Sequence, residues 1–208
     1  MSTPDWTSAS PWRSPVGPPP RRELPVVVGI SGASGAVLAR ATLLRLLRRG
    51  ERCEVVVSRA AHEVWRDELG EELRAGLDAV AGEAGEGAAD RLAVFGPESF
   101  NVLPASGSHR TQGMVVVPCS MTTAGGLATG SGDDLLKRCA DVCIKEGRRL
   151  VLVPRESPMS AIHLRNLATL AELGVRIVPP IPPFYRRPAS LDEAVEQIVD
   201  RVLQQLFD

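Results

Sequence analysis

The residues best placed for chemistry form four short groups. Ser31-Gly32-Ala33-Ser34-Gly35 follows a β-branched run and precedes a helical pattern, so its backbone N–H groups can approach an anion while the helix amino end adds a favourable dipole. The glycine spacing from Gly29 is G-x-x-G-x-x-G rather than the dinucleotide G-x-G-x-x-G, which leaves phosphate binding and a plain strand-to-helix turn both open. Ser120-Met121-Thr122-Thr123 supplies three hydroxyls that can bond a polar ring edge or a phosphate, or cap a helix. Arg138 and Lys145 lie two helical turns apart and share a face that can hold a phosphate. By themselves, however, the i,i+4 spacings Asp134–Arg138 and Asp141–Lys145 favour a solvated, ion-paired face. Pro154-Arg155-Glu156-Ser157-Pro158 places two charges directly after an apolar run, where ligands of parallel sheets bind.

The elements that carry these groups read as alternating strands and helices. Val26–Ile30 is a strand, the pattern Val37, Leu38, Thr42, Leu43, Leu46, Leu47 a helix ending at Gly50, and Cys53–Ser58 the next strand, a βαβ unit of a parallel sheet. Further strands are expected at Met114–Pro118, Leu150–Pro154 and Arg176–Val178. Helices are expected at Arg59–Gly70, Asp133–Glu146, Ile162–Leu173 and Leu191–Phe207, the last opening on a Ser190-x-x-Glu193 capping box. Continuous apolar strands require helices on both faces, so the fold class is a doubly wound α/β sandwich in one domain. Residues 71–113, rich in Gly, Ala and acids, read as an insertion over one face with one strand at Arg91–Phe95. The Pro-rich residues 1–24 read as a disordered tail preceding a body at 25–208.

Composition narrows the function. Across 208 residues, 24 basic side chains balance 25 acidic ones, so no overall field gathers nucleic acid or a membrane surface, and no apolar stretch suits a membrane span. Cys53, Cys119, Cys139 and Cys143 lie in apolar runs without paired spacing and read as buried, reduced thiols of a cytoplasmic protein; Cys119 has no neighbouring base to make it a nucleophile. His62, His109 and His163 are scattered without ligand spacing, so no metal site is expected, and His62 and His163 read as structural or exposed. Ser58-Arg59 after the second strand would suit the 2′-phosphate of NADP in a short-chain dehydrogenase. That chemistry needs a Tyr-x-x-x-Lys pair, and the lone tyrosine, Tyr185, has Ala189 at the lysine's place.

Gly29-Ile30-Ser31-Gly32-Ala33-Ser34-Gly35, Val117-Pro118-Cys119-Ser120, Ala140–Glu146 and above all Leu152-Val153-Pro154-Arg155-Glu156-Ser157-Pro158 together resemble the UbiX-like flavin prenyltransferases, with Pro104–Ser108 and Ile162–Leu164 adding to the match. The resemblance implies a flavodoxin-like fold and transfer of a dimethylallyl group from dimethylallyl phosphate to N5 and C6 of reduced FMN, without a metal. The prenylated FMN would serve a UbiD-type decarboxylase, and the enzyme would be a homo-oligomer, often a dodecamer, with sites at subunit junctions. Carried over, Gly32, Ala33, Ser34, Ser58, Ser120, Met121, Thr122, Thr123 and Arg155 would contact FMN, and Arg138, Lys145, Tyr185 and Arg201 would hold the prenyl phosphate. Ser34, Glu68 and Glu156 match active-site positions, Ser34 one concerned with proton handling. The resemblance reverses the reading of the Arg138/Lys145 face, since a departing phosphate is stabilised by cations and the allylic cation by the ring of Tyr185. The alternatives are a flavin-dependent cysteine decarboxylase, whose Pro-x-Met-Asn motif the Pro154–Ser160 segment lacks, and a non-catalytic FMN-binding subunit of a decarboxylase complex.

Overall fold

A computed structural model describes residues 23–208. Its strands are β1 (Val26–Ile30), β2 (Cys53–Val57), β3 (Leu92–Phe95), β4 (Gly113–Cys119), β5 (Leu150–Pro154) and β6 (Arg176–Ile177). They pair in parallel throughout, in the order β3-β2-β1-β4-β5-β6. The helices are α1 (Ala36–Arg48), α2 (Arg59–Leu69), α3 (Leu73–Ala84), α4 (Met121–Ala128), α5 (Leu135–Lys145), α6 (Ala161–Glu172) and α7 (Leu191–Phe207). The tail expected over 1–24 lies outside the described residues except for Glu23 and Leu24. Among the described residues no helix is long and apolar enough to cross a membrane.

Side chains alternate across each strand, and both faces are covered. Val26, Val28 and Ile30 of β1, with Val115 and Val117 of β4, enter a core shared with α1, α3 and α7. Val27, Met114, Val116 and Leu152 face the other way, into a core with α4, α5 and α6. This is the doubly wound architecture expected from the apolar runs. The chain winds outward from β1 through β2 to β3, then crosses back to place β4 on the other side of β1. Strand order therefore reverses between β1 and β4, and the crevice beyond their carboxyl ends is where such sheets take ligands.

Residues 71–113 are not an insertion. They contain α3, whose Leu73, Leu77, Val80 and Ala81 are buried against α1, and β3, which pairs with β2 and completes that half of the sheet. The glycines and alanines that suggested a loop are what let α3 lie close to its neighbours; a Cβ on Gly76 would stand 2.6 Å from Trp65 Nε1. The α7 capping box is half formed: Ser190 Oγ accepts the Glu193 N–H (3.1 Å), but the Glu193 carboxylate reaches past it to the Ala189 N–H (2.7 Å). A reciprocal box occurs instead on α6, between Ser160 and His163.

Candidate active site

Three helices begin at the crevice, and each start follows from the residue there. Ser120 caps α4, its hydroxyl accepting the Thr123 N–H at 3.1 Å. Ser58 begins α2 without a side-chain cap, and its Oγ is buried with no hydrogen-bond partner. Gly35 begins α1 and has no side chain to cap with. Glu68 of α2 takes that role from outside: its carboxylate accepts the Gly35 N–H (2.9 Å) and the Ala36 N–H (2.7 Å).

These elements enclose a cleft of about 660 Å³. Gly32, Ala33 and Ser34 form one wall, Ser120, Met121 and Thr122 a second, and Glu68, Arg155 and Glu156 close its ends. Arg155 Nε donates to the Ser34 carbonyl (3.2 Å), tying the segment after β5 to the glycine turn. Thr123 lies beneath, buried, with its Oγ1 3.0 Å from Ser120 Oγ. Ala60, in the first turn of α2, packs directly against Gly32, where an added Cβ would meet it. Seven of the nine residues expected at FMN line this one cleft, from three separate stretches of chain, whereas Ser58 and Thr123 do not line it.

Burial raises the Glu68 carboxyl, but the Ser34 hydroxyl, the N–H groups of Gly35 and Ala36 and the Arg155 charge outweigh it, leaving its pKa below the usual range. Glu68 is therefore ionised at neutral pH, a proton acceptor from Ser34 rather than a donor. A depressed carboxyl stabilises the fold above its unfolded pKa and loses that contribution as pH falls through the folded value. Glu68→Ala is accordingly expected to lower stability by about 1 kcal/mol at pH 7, the size of a lost helix cap, in thermal unfolding. The gap from wild type should close as the pH falls through the folded value; a gap that persists in acid would contradict the cap.

The residues expected at the prenyl phosphate do not meet within one chain. Arg138 lines a second cleft of about 620 Å³ with Phe95, Phe100, Ser106 and Gly107. Lys145 is beside it, since a Cβ on Gly107 would lie 2.9 Å from Lys145 Nζ. Tyr185 and Arg201 line a third cavity of about 270 Å³, with Arg186, Gln197 and Gln204. Tyr185 is 81% exposed and is flanked by exposed Ile181, Phe184 and Leu191. The pairings on α5 also differ from expectation. Asp134 caps the helix through the Lys137 N–H (2.8 Å) and so is turned from Arg138, which bonds Asp141 instead (3.2 Å), while Lys145 bonds Glu146 (2.6 Å).

Phe100 borders the second cleft and Asn166 the first without any sequence signal for either, and Ile162, which belongs to the resembling Ile162–Leu164 segment but carries no expected site role, borders the first cleft too. Phe100 sits in an irregular segment without periodicity, and the α6 pair reads as ordinary helix surface. His163, expected to be structural or exposed, makes the α6 capping box and also lines the first cleft, and the four cysteines are buried, each thiol pushed up to about 12 chiefly by desolvation. Burial at Cys119 favours the neutral thiol over a nucleophilic thiolate.

A phosphorylated flavin fits this crevice. The exposed Thr122 and the amino ends of α2 and α4 offer donors to a phosphate, Arg155 adds a cation, and the Ser58 Oγ at the start of α2 is left without a partner. Comparison with known proteins agrees. The Flavoprotein family model matches residues 18–207. The flavin prenyltransferase UbiX of Synechocystis sp. is 46% identical over 186 residues, covering 88% of this chain and 90% of that protein. The crystal structure of AnUbiX (PadA1) in complex with FMN and dimethylallyl pyrophosphate superposes with a TM-score of 0.80 at 37% identity, covering 88% of this chain and 92% of that one. A dodecameric FMN-dependent UbiX-like decarboxylase from Escherichia coli O157:H7 gives 0.77 at 41% identity, over 88% and 94% of the two chains. The chain belongs to the Flavoprotein family, among its UbiX-like flavin prenyltransferases.

Proposed function

We propose that the protein transfers a dimethylallyl group from dimethylallyl phosphate to reduced FMN, forming bonds at N5 and C6, and that the product is passed to a UbiD-type decarboxylase. The observation that carries this reading is the convergence of the glycine turn, the Ser120–Thr122 segment and Arg155 on one cleft, in a chain whose curated relatives at this level of identity are named as flavin prenyltransferases. When bound, reduced FMN supplies the nucleophilic positions. The chain's own groups do the rest. Arg155 and the helix amino ends hold the flavin, and Ser34, beside the Glu68 carboxylate, relays the proton released at that side of the site, taking it on its hydroxyl oxygen as it gives its own proton to Glu68. Glu156 borders the same cleft as a second carboxylate. Arg138, Lys145 and Arg201 stabilise the phosphate as the allylic C–O bond breaks, and the exposed ring of Tyr185 faces the charge left on the prenyl group.

Because Arg138 and Lys145 lie apart from Tyr185 and Arg201 in one chain, the donor site is completed between subunits of a homo-oligomer. The exposed apolar residues around Tyr185 support that reading. Residues 25–208 are the flavoprotein body, with 1–24 appended, and the four unpaired thiols support a reducing, cytoplasmic setting. The deciding experiment is anaerobic incubation of the isolated protein with reduced FMN and dimethylallyl phosphate. Mass spectrometry should find a flavin heavier by one prenyl unit. Unchanged flavin would refute the assignment and favour a non-catalytic subunit, whereas decarboxylation of a cysteine-terminated peptide would favour the decarboxylase reading.

A further inference from the structure

Ser31 belongs to neither the flavin set nor the phosphate set, yet it joins the two loops that form the flavin cleft. The β1–β4 ladder runs from Val26↔Gly113 to Gly29↔Val116, and the strands then part to open the crevice. Past that point the link between them falls to one residue. The Ser31 N–H donates to the Pro118 carbonyl (3.3 Å), its hydroxyl donates to the same carbonyl (2.8 Å), and the same hydroxyl oxygen accepts the Ser120 N–H (2.7 Å). Ser31 is 1% exposed, so these bonds are made away from water. They also continue inward, because Ser120 Oγ is bonded in turn to the Thr123 N–H and hydroxyl.

A hydroxyl has one proton and two lone pairs, so donating on one side and accepting on the other fixes both the separation and the angle of what it bridges. On one side is the turn that presents Gly32, Ala33 and Ser34 to the cleft; on the other is the start of α4, which presents Ser120, Met121 and Thr122. We propose that Ser31 is a positioning residue for the flavin: its hydroxyl sets the width of the crevice between the glycine turn and the α4 amino end, and so sets FMN affinity without touching the donor site. The role rests on the assignment of this cleft to FMN. An alanine there would leave the half-buried Ser120 N–H without an acceptor, and the loops would be free to part until that N–H finds water.

The test uses the full chain with Ser31→Ala and Ser31→Thr, FMN binding followed by flavin fluorescence, thermal unfolding without flavin, and steady-state constants for both substrates. Ser31→Ala should weaken FMN by about tenfold or more, the effect of one buried hydrogen bond lost in a binding loop, and raise the KM for reduced FMN while leaving the KM for dimethylallyl phosphate unchanged. Ser31→Thr, which keeps the hydroxyl, should restore FMN affinity. Equal FMN affinity in wild type and Ser31→Ala would overturn the role of Ser31 alone. So would a parallel loss for both substrates that tracks a lowered melting temperature. A wild-type chain that binds no FMN would overturn the cleft assignment itself, and this role with it.

Discussion

Replacing Arg138 by alanine is expected to cut turnover of dimethylallyl phosphate by about 10²–10³-fold, the usual effect of removing one fixed donor from a developing anion, while FMN affinity stays near that of wild type. The separation follows from position. Arg138 lines the cleft with Phe100 and Ser106, whereas the flavin residues line the crevice beyond β1 and β4. Arg138→Lys should recover part of the loss, since it keeps the charge but not the guanidinium fork. Product formation under anaerobic conditions and FMN titration measure the two quantities separately, and equal losses in both would contradict the assignment. Arg201→Ala should behave the same way from the other cavity. If the site is shared between subunits, refolding or subunit exchange of the two inactive variants together restores activity, because about a quarter of randomly formed junctions then carry an intact Arg138 and an intact Arg201. Recovery from two dead proteins cannot arise if each chain holds a complete site. Its absence, in mixed oligomers shown to form, would place all four donor residues within one chain after a rearrangement.

The sequence exposes this site unevenly. Strands and the turns just after them are legible because parallel strands buried on both faces are short apolar runs, and the sheet's geometry then names the ligand-binding positions: Gly32, Ser58, Ser120 and Arg155 each follow a strand end. What was lost was lost to composition. Leu73, Leu77, Val80 and Ala81 stand at helical spacing, yet the Gly and Ala between them weigh toward a loop, and the reason for those small residues is the Trp65 indole lying against Gly76. Helix α5 shows a different limit. Its spacings announce the pairs Asp134–Arg138 and Asp141–Lys145, which do not form because Asp134 is engaged as a cap and Asp141 bonds Arg138, uses that spacing alone does not distinguish from i,i+4 ion pairs. The partition of Arg138 and Arg201 between two cavities has no signature in residue spacing, since both are helix-surface cations.

Gly32→Ala should be the most damaging one-carbon change in the crevice. An added Cβ would lie 2.3 Å from Ala60 Cβ, closer than carbon atoms approach, and 3.2 Å from the Ala60 carbonyl carbon, and neither neighbour is the end of a flexible side chain. Relief requires the first turn of α2 to move away from the glycine turn. That turn follows Ser58, and the same helix carries Glu68, so the displacement reaches the unpartnered Ser58 hydroxyl and the cap on α1 together. Overpacking of this kind costs about 1–3 kcal/mol, and FMN affinity should fall by roughly 10²-fold if most of that strain is relieved only by opening the site. Ala60→Gly removes the atom in closest conflict at a cost of about 1 kcal/mol in helix propensity. In the double variant the nearest contacts become 3.2 and 3.3 Å, to Ala60 backbone atoms, which need a shift of only tenths of an ångström. The two substitutions are therefore expected to couple: Gly32→Ala with Ala60→Gly should bind FMN more tightly than Gly32→Ala alone, and the thermal unfolding cycle should show a positive interaction. Strict additivity in FMN affinity would mean that the alanine methyl acts directly on the flavin instead of through α2.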